Sequence, residues 1–368
     1  MILKPKTLNL KPMRALIHDP YLDTLGGGER YCLTLAECLL SRGWQVDLAW
    51  DDPSVIETSA RRFGLKLSDV HLLGYRLDQL PFFKKSILSR GYDLVFWLSD
   101  GSIPFLFGKK NLLHFQVPFF GANRTKVFNK FKLGFIAEVV CNSFFTKSFI
   151  DCEFGVRSLV LYPPVDVVRF KPAAVKENII LAVARFEESM QAKRQDILIS
   201  AFKQMVDQGL AGWELVLAGA SLAKASENEF LVKLKKMVKG YPIRILVNLP
   251  FDRLRGLYSR AKLFWHAAGF GINDREEPWR VEHFGITPVE AMAAGAVPLV
   301  VDKGGLKEIV RRGVGERWRT VEELIDKSFL LIKNKKLYRK CQKKALFRAK
   351  KFSKNNFYRK FLEILGNG

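Results

Sequence analysis

The sequence predicts an α/β protein made of two doubly wound domains. Apolar segments of strand length alternate with amphipathic segments of helix length along nearly all of the 368 residues, a pattern typical of parallel sheets built from βαβ units. Three prolines interrupt the alternation at 162–172, "YPPVDVVRFKP", as in a linker. A chain of this length also exceeds the size at which one core usually divides. We therefore expect two Rossmann-like domains facing a central cleft, with ligands at the carboxyl ends of their strands.

The first domain is predicted to span residues 1–165. It begins with "RALIH" as a strand, "ERYCLTLAECLLSRG" as a helix that ends at a glycine, and "QVDLAW" as the next strand. Four further apolar runs of strand length follow: "DLVFWLS", "NLLHFQ", "AEVVCN" and "SLVLY". Strands and helices in this order predict a parallel sheet covered by helices.

The second domain is predicted to span residues 171–340 and to repeat the same architecture. Its first strand is "IILAVAR" and its first helix is "QDILISAFKQMV". The later strands are "WELVLAG", "RILVNL", "KLFWHA" and "VPLVV". The remaining residues, 341–368, are predicted to form a basic helix that packs back toward the N-terminal domain.

Composition excludes several classes of protein. Hydrophobic residues make up 48% of the chain, which is typical of a globular protein, and no apolar run is long enough to cross a bilayer. The N-terminal segment lacks the apolar core and cleavage site of a secretory signal, so we expect a cytoplasmic location. The five cysteines are odd in number and scattered, which argues against a disulfide framework or a structural zinc site.

The formal net charge of +23 predicts an anionic partner. From Lys333 to Lys360 there are thirteen lysines or arginines and no acid, interleaved with apolar residues. Three interpretations stay open for this basic tail: a solvated helix face whose apolar side packs on its own protein, a membrane-surface helix, or a nucleic-acid contact.

A second basic segment, "NRTKVFNKFKLGF" at 123–135, interleaves lysine and arginine with phenylalanine. This pattern is typical of a helix that lies on anionic lipid, and an amphipathic core helix is the alternative. Together with the tail, it favours a protein that lies peripherally on the inner face of a membrane, with an anionic membrane surface as a partner ahead of nucleic acid.

The stretch "EHFGITPVEAMAAGAVPLV" contains two glutamates, Glu282 and Glu290. Thr287 to Glu290 fit a capping box, which predicts a helix with Thr287 as N-cap and its first turn at Pro288. The backbone N–H groups around Gly285, Ile286 and Thr287 would then lie at a helix N-terminus, where an anion is favoured. The cap explains Glu290 without a ligand, whereas Glu282 lies in the loop before the helix and has no such structural role.

Two other loops are candidates for binding an anion. Gly26, Gly27 and Gly28 directly precede a predicted helix, and glycine lets the backbone approach a ligand closely. A dinucleotide fingerprint is the alternative there, although Tyr31 stands where its third glycine would be. In the second domain, Arg185 and Lys193 follow the first strand, where two cations would neutralise a diphosphate or merely line a solvated loop.

Together these segments resemble the retaining glycosyltransferases of family 4 (glycosyl transferases group 1), which have the GT-B fold and use nucleotide-sugar donors. The resemblance covers nearly the whole chain, and the pair Glu282 and Glu290, seven residues between them, is its most specific feature. The other segments that carry it are Arg185, Lys193, "GGGER", "HFQVP", "CNSFFTKSFI" and "YPPVD".

The resemblance implies a role for each candidate residue. Arg185 and Lys193 would hold the donor diphosphate, and the backbone from Gly285 to Thr287, with Ile286 between them, would support the phosphate or sugar. Glu290 would accept hydrogen bonds from the ribose. Glu282 would contact sugar hydroxyls beside the reacting carbon, and His114 would face the sugar from the first domain, while Gly27 and Gly28 would line the acceptor or phosphate side. Glu282 and His114 are thus the candidate catalytic residues.

The chain also departs from the family pattern at two places. The loop between Arg185 and Lys193 is about two residues longer than usual, which weakens the assignment of Lys193. An insertion, "GFGINDREEPWRV" at 269–281, precedes Glu282 and has the character of a lid or a partner surface.

The predicted function is retaining transfer of a hexosyl group from a UDP- or GDP-sugar to a glycan or lipid-linked acceptor. Fixed positive charge would stabilise the leaving diphosphate, so we expect neither a cofactor nor a metal ion. The sequence also lacks a convincing Asp-X-Asp motif of the kind that would hold a metal ion. The nearest match, Asp151 to Glu153, falls in a predicted helix of the first domain, away from the donor loops. A sugar-nucleotide epimerase of similar architecture is the first alternative, a nicotinamide-dependent oxidoreductase the second, and a non-enzymatic nucleic-acid binder the third.

Overall fold

The computed structural model describes residues 11–24, 26–123, 125–187, 193–221 and 228–366, apart from the side chain of Phe82. Most of the loop between Arg185 and Lys193 lies outside the described residues, as do residues 1–10 of the predicted first domain and residues 367–368 of the predicted C-terminal helix.

A parallel sheet in the order β3-β2-β1-β4-β5-β6-β7 accounts for the strands of the first half of the described chain. Its strands are β1 (Arg14–His18), β2 (Gln45–Leu48), β3 (Val70–Leu72), β4 (Leu94–Leu98), β5 (Lys110–Phe115), β6 (Glu138–Cys141) and β7 (Leu159–Val160). The pairs β1–β2, β1–β4, β2–β3 and β4–β5 are parallel. β3 was not predicted from the sequence, because three residues are too few for a hydrophobic period to be visible.

Helices connect these strands, as crossovers between parallel strands require. They are α1 (Gly27–Leu40), α2 (Ser54–Phe63), α3 (Phe82–Ser89), α4 (Lys126–Leu133) and α5 (Phe144–Phe154). The motif Asp151 to Glu153 does lie in a helix, α5.

The second half repeats the architecture with a sheet in the order β10-β9-β8-β11-β12-β13, in which each neighbouring pair is parallel. Its strands are β8 (Glu177–Val183), β9 (Glu214–Gly219), β10 (Ile243–Val247), β11 (Ala261–His266), β12 (Val297–Val301) and β13 (Glu316–Trp318). Its helices are α6 (Gln195–Asp207), α7 (Glu229–Met237), α8 (Phe251–Arg260), α9 (Ile286–Ala293), α10 (Leu306–Ile309), α11 (Val321–Lys333), α12 (Lys335–Ala349) and α13 (Lys354–Leu365).

The chain divides into two compact units that are not contiguous in sequence. Unit 1 comprises 1–116, 121–140 and 153–159, and unit 2 comprises 117–120, 141–152 and 160–368. The prediction of domains at 1–165 and 171–340 stays a prediction. So does the packing of 341–368 toward the N-terminal domain.

In each sheet the strand order changes direction at the centre. β1 lies between β2 and β4, and β8 lies between β9 and β11. In an open parallel sheet, ligands bind outside the carboxyl ends of the strands at such a switch point. In unit 2, the loop after β8 and the end of β11 flank this point, and they carry Arg185, Lys193 and His266.

The apolar side of the basic tail packs within its own unit. In α12, Cys341, Ala345 and Ala349 are buried, and Gln342 Nε2 donates to Gly295 O at 2.9 Å. Phe352, which follows α12, packs edge-on against Phe284. Of the three interpretations of the tail, packing on its own protein therefore accounts for its buried apolar residues.

Among the described residues, no helix is both long and apolar enough to cross a membrane. The cysteines are free thiols, buried except for Cys152.

Candidate functional site

Glu282 is the centre of an ionic cluster at the switch point of the second sheet. Its Oε2 atom lies 2.9 Å from Lys193 Nζ and 3.5 Å from His266 Nε2. The side chains of Glu282, Lys193 and His266 are 18%, 12% and 4% exposed. Residues far apart in the sequence thus meet where β8 and β11 end.

The hydrogen bonds of His266 fix its tautomer. His266 Nδ1 accepts from the backbone N–H of Ala268 at 3.3 Å, so the ring proton is on Nε2 and points toward Glu282. Burial by itself would raise the pKa of Glu282, but the charge of Lys193 and the hydrogen bond from His266 hold that pKa well below its usual range. Glu282 is therefore an ionised carboxylate at neutral pH.

Two glycines let the chain after β12 approach Glu282 closely. Gly305 N donates to Glu282 O at 2.8 Å. A Cβ on Gly305 would lie 2.1 Å from His283 O, and one on Gly304 would lie 2.3 Å from Glu282 O. Only glycine fits these contacts, so the two glycines of "KGGLKEI" are required for the backbone geometry of the site.

The insertion at 269–281 is fastened to this loop. Asp274 Oδ2 accepts from Gly304 N and from Lys307 Nζ, each at 3.0 Å. Near the start of the insertion, Arg194 Nη1 donates to Phe270 O at 3.0 Å. The insertion therefore braces the glycine loop that contacts Glu282, a role that its sequence did not indicate.

Helix α9 begins earlier than the capping box predicted. Its N-cap is Gly285, with φ of 104°, and the helix starts at Ile286, so the prediction of Thr287 as N-cap was wrong. Gly285 adopts a left-handed conformation that disfavours other residues, and this turn starts the helix without a side-chain cap. Pro288 becomes the third helical residue, where its missing N–H costs nothing because that N–H would have no helical partner. The N–H groups of Ile286 and Thr287 are still those of a helix N-terminus.

Glu290 has a structural partner other than the predicted cap. Tyr258 Oη donates to Glu290 Oε2 at 3.0 Å, and Tyr258 is fully buried. Burial is the main cause that raises the pKa of Tyr258 well above its usual range, and the charge of Glu290 is the second. The phenol therefore stays protonated and remains a donor. Glu290 itself is 9% exposed.

Arg185 lies just beyond β8 with a side chain that is 57% exposed and 3.6 Å from Glu187. Its carbonyl accepts from Gln195 Nε2 at 2.9 Å, which ties the loop to the first residue of α6. Arg185 is therefore a largely exposed cation on a backbone fixed at the switch point.

In unit 1, the glycine loop also lies at the carboxyl edge of its sheet. α1 begins at Gly27 with Gly26 as its N-cap. A Cβ on Gly28 would lie 3.7 Å from Leu98, the last residue of β4. Gly27 is exposed and Gly28 is half-buried, so the backbone of this helix start is open to a ligand.

Two buried acids lie beside this loop. Glu29, in the first turn of α1, is 4% exposed, and its Oε1 accepts from Thr24 Oγ1 at 2.9 Å. Asp19, directly after β1, is fully buried. Burial, reinforced by Glu29, raises the pKa of Asp19 to about 7.

His114 lies inside unit 1, with none of its surface exposed. Its Nδ1 is 3.0 Å from Val140 O, and its ring stacks on Tyr31 with centroids 4.1 Å apart. Burial lowers the pKa of His114 to about 3, so the ring is neutral. His114 is enclosed by the core because it lies on an inner strand of the sheet, and its expected role of facing the sugar stays a prediction.

Sequence reasoning missed three residues of the unit 2 site: His266, Asp274 and Tyr258. His266 had a usable signal, because it is a polar residue that ends an otherwise apolar strand. Asp274 and Tyr258 contact the site only through long-range packing, which no local pattern reveals. Within the described ranges, no three His, Cys, Asp or Glu side chains form a group that could hold a metal ion.

Comparisons with known proteins bear on the family of the second half of the chain and on the fold of the whole. The sequence model of the family described as glycosyl transferases group 1 matches residues 166–346. A Dictyostelium discoideum protein described as GDP-Man:Man(3)GlcNAc(2)-PP-Dol alpha-1,2-mannosyltransferase is 28% identical over 229 residues, which cover 58% of this chain and 43% of that protein. The chain thus spans less than half the length of this curated relative.

Solved structures resemble the chain over almost its whole length. A glycosyltransferase from Rickettsia africae superimposes with a TM-score of 0.75 at 19% identity, covering 98% of this chain and 100% of that one. Anabaena HepE, crystallised in complex with UDP, gives a TM-score of 0.72 at 17% identity, covering 97% of this chain and 100% of that one. At these identities, the likeness concerns the fold.

The family match spans the unit 2 site from β8 to α12, and the fold of the whole chain is shared with a glycosyltransferase. We therefore identify residues 166–346 as a domain of the family glycosyl transferases group 1, in a chain that has the GT-B fold.

Proposed function

We propose that the protein is a retaining, metal-independent glycosyltransferase. It would move a hexosyl group from a UDP- or GDP-sugar to a glycan or lipid-linked acceptor. The observation that carries the proposal is the ionised Glu282, held between Lys193 and His266 at the switch point of the second sheet. A buried carboxylate that is kept charged and rigid is suited to accept hydrogen bonds from sugar hydroxyls.

The donor diphosphate would be held by positive charge on the same edge of the sheet. Arg185 offers a guanidinium fork, and Lys193 offers a point charge that Glu282 already positions. The N–H groups of Ile286 and Thr287 add the dipole of α9, next to the turn at Gly285. These groups would stabilise the negative charge that develops on the leaving diphosphate.

Glu290 is proposed to accept from the ribose hydroxyls through the carboxylate that Tyr258 orients. The bond from Tyr258 uses Oε2. A carboxylate has several lone-pair sites and can accept more than one hydrogen bond.

The glycine loop at Gly27 and Gly28 is proposed to contact the acceptor. Glu29 in the same helical turn and the nearby Asp19 place buried acidic groups at this edge. A neutral, hydroxyl-bearing acceptor suits such surroundings better than a phosphate, because like charges repel.

In the proposed reaction, the bond from the anomeric carbon to the diphosphate oxygen breaks, and a bond from that carbon to the acceptor oxygen forms on the same face. The acceptor hydroxyl proton passes to an oxygen of the departing diphosphate. Glu282 would orient the sugar, and the cations would stabilise the leaving group. No residue has to form a covalent intermediate in this scheme.

The names of the relatives suggest finer assignments. The Dictyostelium relative is named for a GDP-mannose donor and a dolichol-diphosphate-linked glycan acceptor, and Anabaena HepE was crystallised with UDP. We accordingly propose a lipid-diphosphate-linked glycan as the acceptor and the cytoplasmic face of a membrane as the place of reaction. The donor base in this proposal is guanine or uracil.

A thermal-shift panel of UDP-, GDP-, ADP- and CMP-sugars, with NAD and NADP alongside, tests the donor class. A ligand at about one hundred times its Kd stabilises a protein by about 2.7 kcal/mol, so one nucleotide class should raise the melting temperature by a few degrees. The variant Arg185→Gln should reduce this shift, because it removes a cation proposed to hold the diphosphate. The fold should be kept, because the Arg185 side chain is largely exposed. Arg244→Gln is the matched control, since Arg244 is an exposed arginine that pairs with Glu214 on the same sheet.

The panel separates the alternatives. Stabilisation by NAD or NADP alone would contradict the proposal in favour of an oxidoreductase. A sugar nucleotide that is interconverted without any acceptor would indicate the epimerase. Equal shifts in Arg185→Gln and the wild type would remove Arg185 from the donor site.

A further inference from the structure

Two helices of unit 1 expose large apolar side chains to solvent. On α3, Phe83 is 74% exposed and Ile87 is 61% exposed. On α4, Val127, Phe128 and Phe131 are 87%, 52% and 57% exposed. We call these five residues the α3–α4 surface.

The spacing of these residues places them on one side of each helix. Phe83 and Ile87 are four residues apart, and so are Val127 and Phe131, which puts each pair on a single helix face. Isolated exposed apolar residues are common on proteins, but grouped ones mark interaction sites.

The segment 103–107 joins the two helices. Ser86 of α3 donates from Oγ to Phe105 O at 2.9 Å, and the Phe105 ring stacks on Phe131 of α4 with centroids 5.8 Å apart. Lys132 Nζ donates to Ile103 O at 2.9 Å. α3 and α4 are therefore attached to the same short segment, and their exposed residues belong to one region of unit 1.

The charges on these helices are of one sign. α3 carries Lys84 and Lys85, α4 carries Lys126, Lys130 and Lys132, and neither helix contains an acidic residue. Lys132 Nζ also lies 4.6 Å from the centroid of the Phe128 ring. Lysines interleaved with aromatic residues are complementary to a lipid bilayer with anionic headgroups above an apolar interior.

We propose that the α3–α4 surface docks the protein on an anionic lipid bilayer. Phe83, Val127 and Phe131 would enter the boundary between headgroups and acyl chains, while the flanking lysines would contact the phosphates. The positive charge without acids favours a bilayer over the mixed charges of an ordinary protein partner. Docking is independent of the donor site, so either proposal can fail while the other stands.

The basic tail is the competing surface, and its packing argues against it. Its residues Phe352 and Phe357, and Phe361 directly after it, are at most 2% exposed. Phe347, 78% exposed, is the large apolar side chain that α12 presents to solvent. The tail thus offers charge with little apolar area.

Sedimentation of the full chain with vesicles tests the docking surface. The vesicles would contain phosphatidylcholine alone or mixed with phosphatidylglycerol. We expect the wild type to bind the mixed vesicles preferentially at low salt. The double variant Phe83→Ser/Val127→Ser should bind about tenfold more weakly or worse, because two large apolar side chains no longer enter the lipid. Both residues are exposed, so the fold should be kept, as an unchanged melting temperature would verify.

Phe347→Ser is the matched control, a single exposed phenylalanine within the most basic helix, and it should bind like the wild type. An equal loss in Phe347→Ser would assign docking to the tail and overturn the proposal. So would a wild type that binds no vesicles, or one that binds RNA but not lipid. The variant Lys84→Gln/Lys130→Gln should lower binding to the mixed vesicles only. Unchanged binding in that variant would exclude contacts between these lysines and the lipid phosphates.

Discussion

At the scale of residues, Glu282 and Glu290 are distinguished by their partners. Glu282 pairs with Lys193 and His266 in a largely buried cluster, whereas Glu290 accepts from the fully buried phenol of Tyr258. Replacing one partner of a buried ion pair leaves a charge without compensation. A substitution of Glu282 is therefore expected to change stability as well as function.

Substituting the two glutamates tests their roles. We expect Glu282→Gln to lower kcat by about a hundredfold and to change nucleotide affinity little, because the lost charge faces the sugar. Glu290→Gln should instead weaken nucleotide affinity by about tenfold, as expected for one charged hydrogen bond. Steady-state kinetics and nucleotide titrations measure both effects.

Tyr258→Phe is the control for Glu290. It removes the hydroxyl that bonds to Glu290 and should lower the free energy of unfolding by about 1 kcal/mol, while nucleotide affinity should fall less than in Glu290→Gln, because the carboxylate is still present although Tyr258 no longer orients it. A purely structural Glu290 would give the opposite pattern, in which Glu290→Gln and Tyr258→Phe lose stability alike and neither loses affinity.

At the scale of elements, hydrogen bonds join three segments of the site: the insertion at 269–281, the segment with Glu282, and the loop with Gly304 and Gly305. Gly305 N–H bonds to Glu282 O, and Asp274 holds Gly304 and Lys307. Although burial alone would raise the pKa of Asp274, the hydrogen bonds from Gly304 and Lys307 lower it. The charged form of Asp274 is therefore the one that braces the loop.

Asp274→Asn tests this brace. The substitution removes the charge that attracts Lys307 and weakens the bond from Gly304 N–H. We expect the KM for the donor to rise by about tenfold, which corresponds to about 1.4 kcal/mol, with kcat nearly unchanged because the reacting groups stay in place. Donor titrations at saturating acceptor measure the split.

Glu276→Gln is the control, because Glu276 is an exposed acid in the same insertion. It should leave both kinetic constants unchanged. A KM that rises equally in Asp274→Asn and Glu276→Gln would show that the insertion acts through its charge in general and not through the brace.

At the scale of the whole molecule, buried titratable groups make stability depend on pH. Burial lowers the pKa of His18 to about 4, of His114 to about 3 and of His283 to about 4. Below about pH 6.5 these histidines bind protons in the unfolded chain but not in the folded one, so stability falls as the pH decreases. Asp19, with its pKa raised to about 7, opposes this by one proton between about pH 4 and pH 7.

His114→Phe tests the pH dependence. The free energy of unfolding of the variant should differ from that of the wild type in two ways. Altered packing adds a difference that is the same at every pH, and the loss of the histidine adds one that varies with pH. Relative to the wild type, it should gain about 1.4 kcal/mol per pH unit as the pH falls from about 6.5 to 4, because one proton-binding site of the unfolded chain is gone. Denaturant unfolding across this range measures the difference, and parallel curves for the two proteins would contradict the prediction.

Local patterns in the sequence were enough to predict most of the fold. The strands at β1 and β12 were predicted with their observed bounds, because each is an apolar run with a sharp end. β3 and β13 were missed, since strands of three residues with charged or polar members are defined by their neighbours in the sheet. The start of α9 was also misplaced, because the left-handed turn at Gly285 outweighs the capping box at Thr287.

The sequence by itself determined that the protein is a two-sheet α/β protein, because hydrophobic period is a local property, and its motif spacing predicted different roles for Glu282 and Glu290. Tertiary structure decided the rest. It enclosed His114 in the core, brought His266 to Glu282, and fastened Asp274 to the glycine loop. It also buried the apolar side of the basic tail while leaving that of α3 and α4 exposed. These outcomes depend on which distant residues meet, and only the packed chain sets those distances and burials.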